Sequence, residues 1–450
     1  MAGGTLSTVD NILKEYYLGP VQEQLNNEVL LVQRLESRSE DLVGRVAIVP
    51  LHTGRSGGIG AVSESATLPS AGNQSYEKAQ YDLKYLYGRI QVTGPSMAKT
   101  KSDAGSFLQI LKSELDGIRA DLGKDLARQA YGTGDAIIAV GNGTAITGSG
   151  TFAAPYVVML TDWESLKKGQ IYGGAILDGV TYSSGTPTIA ATGWTVKSVN
   201  IATNITSTIS VYGGTGTVAI NQSWTRTGAT TTGFNKNALA GRSNEVDGLQ
   251  RIITTTAPSS STVGNSGYQT LGQIDSYDKQ FWDNQRTGSV GALTLQTMQT
   301  MANTVRVKGG RTSMIVTSLG VMREFYRLLT FVTAGTANTN PGTVPTFNVN
   351  EGTMDFKAGF NSVSYNGIPV VGDIDAPFGN MYFIDESTLK VFSDQDWHFL
   401  DADGQTLRQV SNYDAFEAIM TRYMNLGATN RNKNGVLSGI TVNGSTDSGV

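Results

Sequence analysis

The chain has 450 residues and a formal net charge of −4, and it contains no cysteine. Its length exceeds what one hydrophobic core supports, so two or more packing units are expected, while its mild acidity argues against a dedicated nucleic-acid binder. The composition excludes disulfides and thiolate chemistry, and no apolar run is long enough to predict a signal peptide or a membrane span.

The first region, residues 1–44, is predicted to be a helical arm. Apolar residues at helical spacing from Val9 to Tyr17 indicate a short amphipathic helix. Gly19-Pro20 ends it, and Pro20 suits the first position of a second helix. Because so short an arm buries little apolar surface alone, we expect its stripe to pack on the body of the subunit or on a neighbour.

Residues 45–95 are predicted to form a long two-stranded excursion. An extended run from Val46 to Pro50 leads into a Gly/Ser-rich tract at 54–60, which cannot pack a core. The chain returns through a strand with apolar residues at every second position, which predicts one aromatic face. The members of this face are Tyr81, Leu83, Tyr85 and Tyr87. Because a lone hairpin is marginal in water, we expect a neighbouring subunit to cover the face.

The longest predicted element is a helix over 102–132. Apolar residues repeat along it at steps of three and four, the spacing of a single helix face. They are Phe107, Leu111, Leu115, Ile118, Leu122 and Leu126. Ser102 suits the N-terminal cap and Gly132 the C-terminal end. We expect this stripe to be the buried structural spine of the subunit.

Between about 144 and 246 the composition turns to Gly, Thr and Ser with short alternating runs, such as Thr217 to Ile220. Short strands separated by many turn residues are typical of all-β units. This region is therefore predicted to be an inserted small β-module of the barrel or sandwich type.

Helix and strand alternate again after this region. Apolar spacing predicts a helix from Leu295 to Val305, a buried strand from Ser313 to Val316, and a second helix that Ser318 caps. A polar loop rich in Pro and Gly follows over 333–350. Together with the strands before and after it, this part predicts an α+β chain.

The last part is predicted to be rich in hairpins. Asn366-Gly367 and Asp403-Gly404 are two-residue turn signals between apolar runs. Residues 415–426 stay ambiguous, because their apolar positions fit a helix and, in part, an alternating strand.

No combination of residues predicts an enzyme. Gly54 to Gly58 matches the nucleophile-elbow pattern G-x-S-x-G around Ser56, but no helix is predicted directly after it, as that motif requires. Only two histidines, His52 and His398, could act as a base. A flexible loop tip is the better interpretation, and neither a catalytic residue nor a cofactor is expected.

Two further kinds of cluster are candidate sites. The stretch Asp401 to Gly404 echoes the start of a calcium loop but lacks the third ligand and the later Glu, so a hairpin turn is favoured and no metal site is predicted. Small basic clusters are expected on the solvated surface, with phosphate contact to packaged DNA or ion pairs between subunits as the alternative. Their members are Arg306, Lys308, Arg311, Arg431 and Lys433.

The order of these elements resembles the Hong Kong 97 type of capsid subunit from tailed double-stranded DNA bacteriophages. In that family an arm, a long two-stranded loop and a spine helix precede a mixed domain that closes on late strands. Four short sequence segments are similar to those of such subunits as well: Arg45 to Leu51, Gln129 to Gly132, Glu245 to Leu249 and Gly310 to Ser318. The weight comes from order and spacing, because no single motif is diagnostic.

The resemblance implies a Hong Kong 97-like fold in six regions. They are an N-terminal arm (1–44), an extended loop (45–95), a peripheral domain with the spine helix (96–143), an inserted β-module (144–246), an axial domain (247–390), and return strands with a C-terminal tail (391–450).

The resemblance also implies a function. Pentamers and hexamers of the chain would assemble in the bacterial cytoplasm into the icosahedral head of a virion. Expected partners are a portal protein, packaged DNA contacted without sequence preference, and a separate scaffolding protein, since no long helical scaffolding segment precedes the arm. No membrane contact is expected.

Two alternatives stay open at this point. An encapsulin-like nanocompartment has the same fold but packages enzymes. A β-rich tail or adhesin protein would explain the composition rich in Gly and Thr but not the long helix.

Overall fold

The structure is a computed structural model. It describes residues 30–36, 39–41, 46–64, 66–96, 110–161, 164–183, 186–201, 207–229, 244–258, 270–333, 363–401 and 406–442. The helix predicted over 9–17 and the loop predicted over 334–350 lie outside these residues.

Helices and strands are mixed along the described residues, which confirms the α+β class. The helices are α1 (Leu30–Glu36), α2 (Ile110–Tyr131), α3 (Glu164–Lys167), α4 (Leu249–Ile252), α5 (Leu295–Val307) and α6 (Leu319–Thr333). The strands are β1 (Ser39–Asp41), β2 (Val46–Gly54), β3 (Ser75–Asp82), β4 (Lys84–Thr93), β5 (Ile137–Val140), β6 (Tyr156–Met159), β7 (Ile176–Ser183), β8 (Thr186–Asn200), β9 (Thr208–Tyr212), β10 (Thr215–Gly216), β11 (Ser223–Arg226), β12 (Thr270–Leu271), β13 (Ile274–Asp275), β14 (Gln285–Thr287), β15 (Met314–Thr317), β16 (Val363–Tyr365), β17 (Ile368–Gly372), β18 (Met381–Ile384), β19 (Leu389–Phe399), β20 (Arg408–Gln409), β21 (Ala415–Ala428) and β22 (Gly435–Leu437). None of the described helices is long and apolar enough to cross a membrane.

The chain divides into two compact units, as its length predicts. The smaller unit consists of Met1–Glu28, Tyr87–Lys124 and Trp397–Thr421. The larger unit consists of Val29–Leu86, Asp125–Asp396 and Arg422–Val450. The strands β4, β19 and β21 and the helix α2 each run from one unit into the other.

In the smaller unit, α2 lies directly on β4. A Cβ atom on Gly88 would lie 2.8 Å from Cδ1 of Ile118 and 2.6 Å from Cδ1 of Leu122, so only glycine allows the helix this close. β4 pairs with β21, and Arg89 Nε donates to Glu417 Oε2 at 2.8 Å. The described part of this unit therefore has α2 packed on β4, which in turn pairs with β21.

The long helix predicted over 102–132 is present as α2, and its apolar stripe is less buried than expected. Phe107 and the side chain of Leu111 lie outside the described residues. Leu126 is buried. The half-buried members of the stripe are Leu115, Ile118 and Leu122. The role of this stripe as the structural spine stays a prediction.

The larger unit contains a small closed barrel, residues 137–226. Its strands are ordered β5-β11-β7-β8-β9-β6, β10 pairs with β8, and every pairing is antiparallel. Just beyond β5 and β6, Gly141 forms an antiparallel bridge with Leu160, so the two outer strands meet and the sheet closes. Trp194 and Trp224 belong to its apolar core. The region after residue 144 is rich in strands as predicted, and β5 before it joins the barrel, but the run from Thr217 to Ile220 is not a strand and lies between β10 and β11. The status of the barrel as an insertion stays a prediction.

A second sheet in the larger unit has the order β14-β22-β18-β15-β17-β16. It is mixed, because β15 pairs parallel with β17 and antiparallel with β18. α5 and α6 contribute Met298, Met301 and Phe325 to its core. The two helices and the strand between them were predicted from the spacing of apolar residues, and all three are present. The capping role of Ser318 is wrong, since its buried Oγ has no hydrogen-bond partner among the described residues.

The turn at Asn366-Gly367 joins β16 to β17 as predicted, with φ of 52° and 76° at its two residues. Positive φ at both positions is what a type I′ turn requires. The hairpin expected around Asp403-Gly404 is wrong in its pairing, because β20 pairs with β21, and residues 402–405 lie outside the described part. The ambiguous segment 415–426 is strand, as β21. Buried residues on both faces of this strand remove the alternation with a period of two.

Candidate interaction surfaces

The paired strands β2 and β3, called the ribbon below, have one face buried in their own chain. The pairing runs from Val46 opposite Asp82 to His52 opposite Tyr76. Tyr81 on this face is 2% exposed and stacks on Phe392 with ring centroids 5.3 Å apart. The buried residues of this face are Ala47, Leu51, Ala79 and Tyr81.

The buried position of Tyr81 is fixed further by its hydroxyl. The hydroxyl donates to the carbonyl of Ala428 at 2.8 Å and accepts from the amide of Ala428 at 3.1 Å. Tyr81 is therefore a core residue of its own chain, and the expectation that another subunit covers it is wrong.

The four residues of the expected aromatic face do not lie on one face. Leu83 stands between β3 and β4, outside either strand, and is half-buried. Beyond it the buried positions become Leu86 and Ile90, while Tyr85 and Tyr87 are 52% and 57% exposed. A shift of one residue moves every following side chain to the opposite face. The candidate contact with another subunit therefore narrows to Tyr85 and Tyr87, of which Tyr85 packs edge-on against Tyr423 with centroids 5.1 Å apart.

The opposite face of the ribbon, called the outer face below, is exposed and partly apolar. Ile48 is 59% exposed and Tyr76 is 70% exposed. Pro50 and Lys78, which face each other across the pairing, are exposed as well. This strip of apolar surface has no cover among the described residues of the chain.

Beyond the paired strands, the two legs of the ribbon stay in contact up to a short tip. Ser56 Oγ donates to the carbonyl of Gly72 at 2.9 Å and accepts from the amide of Gly58 at 3.2 Å. A Cβ atom on Gly72 would lie 2.7 Å from the nitrogen of Gly57, so the glycines allow the backbones to touch. Residues 59–68, called the tip below, lie past this contact. These contacts hold the two legs together at the base of the tip, while the flexibility of the tip stays a prediction.

The surroundings of Ser56 do not form a nucleophilic site with His52. The Nε2 atom of His52 lies 2.6 Å from Oε1 of Gln74, and the hydroxyl of Ser56 donates to a backbone carbonyl. A serine nucleophile needs a base within hydrogen-bond reach of its Oγ. Ser56 instead ties the two legs of the ribbon together.

The basic clusters separate into one buried residue and several solvated ones. Arg431 is fully buried and donates to the carbonyl of Ile252 at 2.7 Å, to Ser276 Oγ at 2.6 Å and to the carbonyl of Arg251 at 3.2 Å. It joins three segments of the larger unit and is not available to a phosphate. Lys433 is half-buried, and the exposed members are Arg306, Lys308 and Arg311.

A buried charge network lies at the C-terminal end of α2. Arg128 donates to both carboxylate oxygens of Glu245 and to Asp125 Oδ1, the latter at 3.1 Å. Burial raises the pKa of Glu245, and Arg128 offsets this only in part. Burial would also raise the pKa of Asp125, but Arg128 and Arg226 hold it below the ordinary value. The network fastens the helix end to the chain entering α4.

The carboxylate of Asp373 is occupied by protein donors. The hydroxyl of Tyr131 donates to Asp373 Oδ2 at 2.7 Å, and the amide of Asp375 donates to Asp373 Oδ1 at 2.9 Å. Burial, and then the charge of Asp373, raise the pKa of Tyr131 well above its ordinary value. Among the described residues, no group of three or more acidic or histidine side chains could hold a metal ion.

No protein-family model matches the sequence, and no curated protein matches it. Among solved structures, the chain is similar to a chain of the capsid asymmetric unit of cyanophage A-1(L). The TM-score is 0.58 at 13% sequence identity, and the similarity covers 97% of this chain and 99% of that chain. At this identity the similarity shows a shared fold over the full length of both chains.

Two more distant structures are similar over nearly their whole length. The capsid of cyanophage P-SCSP1u has a TM-score of 0.46 at 8% identity, covering 98% of this chain and 95% of that chain. The holo-SrpI encapsulin of Synechococcus elongatus PCC 7942 has a TM-score of 0.45 at 9% identity, covering 99% of this chain and 98% of that chain. Both are too remote to distinguish between a virus shell and a nanocompartment.

Proposed function

We propose that this chain is the major capsid protein of a tailed bacteriophage. It self-assembles into the icosahedral head that encloses double-stranded DNA, and it resides in the virion. The observation that carries the proposal is the fold shared with the cyanophage A-1(L) capsid chain over 97% of this chain. A tail or adhesin protein would not require a capsid fold over its whole length.

The ribbon supports the proposal, because half of it lacks cover. Ile48 and Tyr76 on its outer face, and Tyr85 and Tyr87 on β4, expose apolar surface to water. Covering such surface is favourable by roughly 25 cal/mol per Å². A second copy of the chain would supply that cover in a shell.

The layout proposed for the subunit follows the Hong Kong 97 type. Residues 1–44 form the N-terminal arm, 45–95 the extended loop, and 96–143 the peripheral domain with α2 as its spine. Residues 144–246 are the inserted module, 247–390 the axial domain, and 391–450 the return strands and tail. Five of the six strands of the second sheet fall in the proposed axial domain with α5 and α6, and the sixth, β22, belongs to the proposed return strands.

The proposed partners are those of a phage head. Copies of the chain form pentamers and hexamers, a portal protein occupies one vertex, and a separate scaffolding protein guides assembly. DNA is contacted without sequence preference. The resemblance of the sequence to phage capsid subunits supports these partners.

The chain is proposed to have no catalytic activity, cofactor or metal. The engagement of Ser56 with Gly72 supports this for the one serine that matches a nucleophile motif. Purified protein should show no esterase or peptidase turnover above background. Turnover that disappears in Ser56→Ala would contradict the proposal.

Electron microscopy of the protein, purified from a bacterium that also expresses the proposed scaffolding protein, tests the assembly function. Closed icosahedral shells are expected, with DNA inside when the remaining head genes are present. Shells filled with a protein cargo and no DNA would favour the nanocompartment, and protein that never closes into shells would contradict both.

A further inference from the structure

A polar groove with unpaired positive charges opens beside α5 in the larger unit. Its volume is about 970 Å³. One wall is α5, and the opposite wall is the turn at Asn366-Gly367. Arg306 and Arg311 are both among its lining residues.

The amide side chains at the rim of the groove are already satisfied. Gln299 Nε2 donates to Asn303 Oδ1 at 2.9 Å, and Asn366 Nδ2 donates to Gln299 Oε1 at 2.9 Å. By contrast, no hydrogen bond or ion pair is made by the side chains of Arg306 and Arg311 within the described part of the chain. Two unpaired guanidinium groups around one concavity favour a carboxylate or phosphate ligand.

The floor of the groove favours a peptide over DNA. Ala302 and Ile368 give it half-buried apolar surface. A chain segment with one carboxylate and apolar neighbours fits the groove better.

The tip of the ribbon has that chemistry. Glu64 is exposed and has no hydrogen-bond or ion-pair partner in the described residues. A turn with the amide of Ala66 donating to the carbonyl of Ser63 at 3.0 Å presents it. On either side, Ile59 and Leu68 are 83% and 78% exposed.

We propose that the tip of one copy of this chain enters the groove of a second copy, with Glu64 between Arg306 and Arg311. Ile59 and Leu68 then cover Ala302 and Ile368. The proposal rests on the shell-forming function and names the surface that receives the ribbon. It joins a convex acidic tip to a concave basic groove, which gives complementarity of both shape and charge.

A charge exchange tests the contact. Arg306→Glu with Arg311→Glu, and separately Glu64→Arg, should each lower the yield of closed shells by about tenfold or more, because like charges then meet at the contact. The three substitutions together should restore most of the yield. Arg119→Glu, at an exposed and unpaired position of α2, is the control and should leave the yield unchanged.

Folding and contact are measured separately. Each variant should melt as the unmodified chain does, and the neutral pair Arg306→Gln with Arg311→Gln replaces the acidic pair if that one unfolds. A photo-crosslinking amino acid at Asn303, on the groove rim, should link to a peptide containing residues 59–68 of another copy inside assembled shells.

Three outcomes overturn the inference: no restoration by the combined substitutions, a crosslink to DNA or to another peptide, or no crosslink in closed shells. In each of them the unmodified chain still forms shells, so the proposed function stands. If the unmodified chain forms no shells, both proposals fall together.

Discussion

The closed barrel and the ribbon place their apolar residues in contrasting ways. The barrel pairs its strands around a ring and buries Trp194 and Trp224 inside. The ribbon has two strands, buries one face through Tyr81, and leaves Ile48 and Tyr76 exposed on the other. An element that covers its own apolar surface stabilises the chain that carries it. One that is half-covered has surface left for a second copy.

The barrel core should show the largest effect of a single substitution. Trp224 is fully buried, so Trp224→Ala should cost about 3–5 kcal/mol of unfolding free energy. The ribbon's outer face supplies the matched control, and Tyr76→Ala should change that free energy by less than about 0.5 kcal/mol. Denaturant unfolding measures both. Equal effects at the two sites would remove the contrast between the barrel and the outer face.

Within the ribbon, the buried and exposed tyrosines should differ. Tyr81→Phe leaves the carbonyl and the amide of Ala428 without the hydroxyl partner that each now has. The expected cost is about 1–3 kcal/mol. Tyr85→Phe, at an exposed position, should leave the midpoint of unfolding in place. An unchanged free energy of unfolding in Tyr81→Phe would contradict the role of this hydroxyl in holding the buried face of the ribbon.

Stability should fall at alkaline pH because buried tyrosines keep their protons in the folded chain. Burial raises the pKa of Tyr131 and of Tyr382, whereas in the unfolded chain both titrate near their ordinary value of about 10. Below that pH neither state loses a proton, so the contribution is constant. Above it the unfolded state binds fewer protons, and stability drops by about 1.4 kcal/mol per pH unit for each group.

Urea unfolding between roughly pH 8 and 11 measures this slope, in the range where tyrosines of unfolded chains titrate. Tyr131→Phe should reduce the slope by the contribution of one tyrosine, about 1.4 kcal/mol per pH unit. Tyr413→Phe, at an exposed position, should leave it unchanged. An identical slope in Tyr131→Phe would contradict the buried assignment.

The smallest effect on stability should come from the largest change in sequence. Replacing residues 57–71 by Asn-Gly keeps Ser56 and Gly72, where the legs of the ribbon meet, and removes the tip. The melting temperature should stay within a few degrees, because the removed residues bury little of their surface. Closed shells should nevertheless become rare in sedimentation. An unfolded product would show that the tip is needed for folding of the subunit. Normal shells would show that the tip is not needed for assembly.

Local signals were sufficient for much of the fold. The spacing in α5 and α6 and the Asn366-Gly367 turn were predictable because each is encoded by neighbouring residues. The long helix was predictable for the same reason. Its half-buried stripe at Leu115, Ile118 and Leu122 was not, since exposure depends on what lies beside the helix.

The candidate contact surface was predicted less well. Tyr81 and Tyr85 are four residues apart, so an unbroken strand would place both on the same face. The break at Leu83, which places them on opposite faces, is not visible in the sequence pattern. Burial of Arg431 depends on Ile252 and Ser276, which are far away in sequence. The pairing of β20 with β21 was not predicted, because the turn signal at Asp403-Gly404 favours pairing of the two strands on either side of it, β19 and β20.

A cryo-electron microscopy map of assembled particles tests the central claim most directly, since it shows what covers the ribbon. The account predicts closed shells in which Ile48 and Tyr76 of each copy are buried against a neighbouring copy, while Tyr81 stays in its own chain. Shells in which that outer face remains in solvent, or a protein that forms no shells at all, would contradict it.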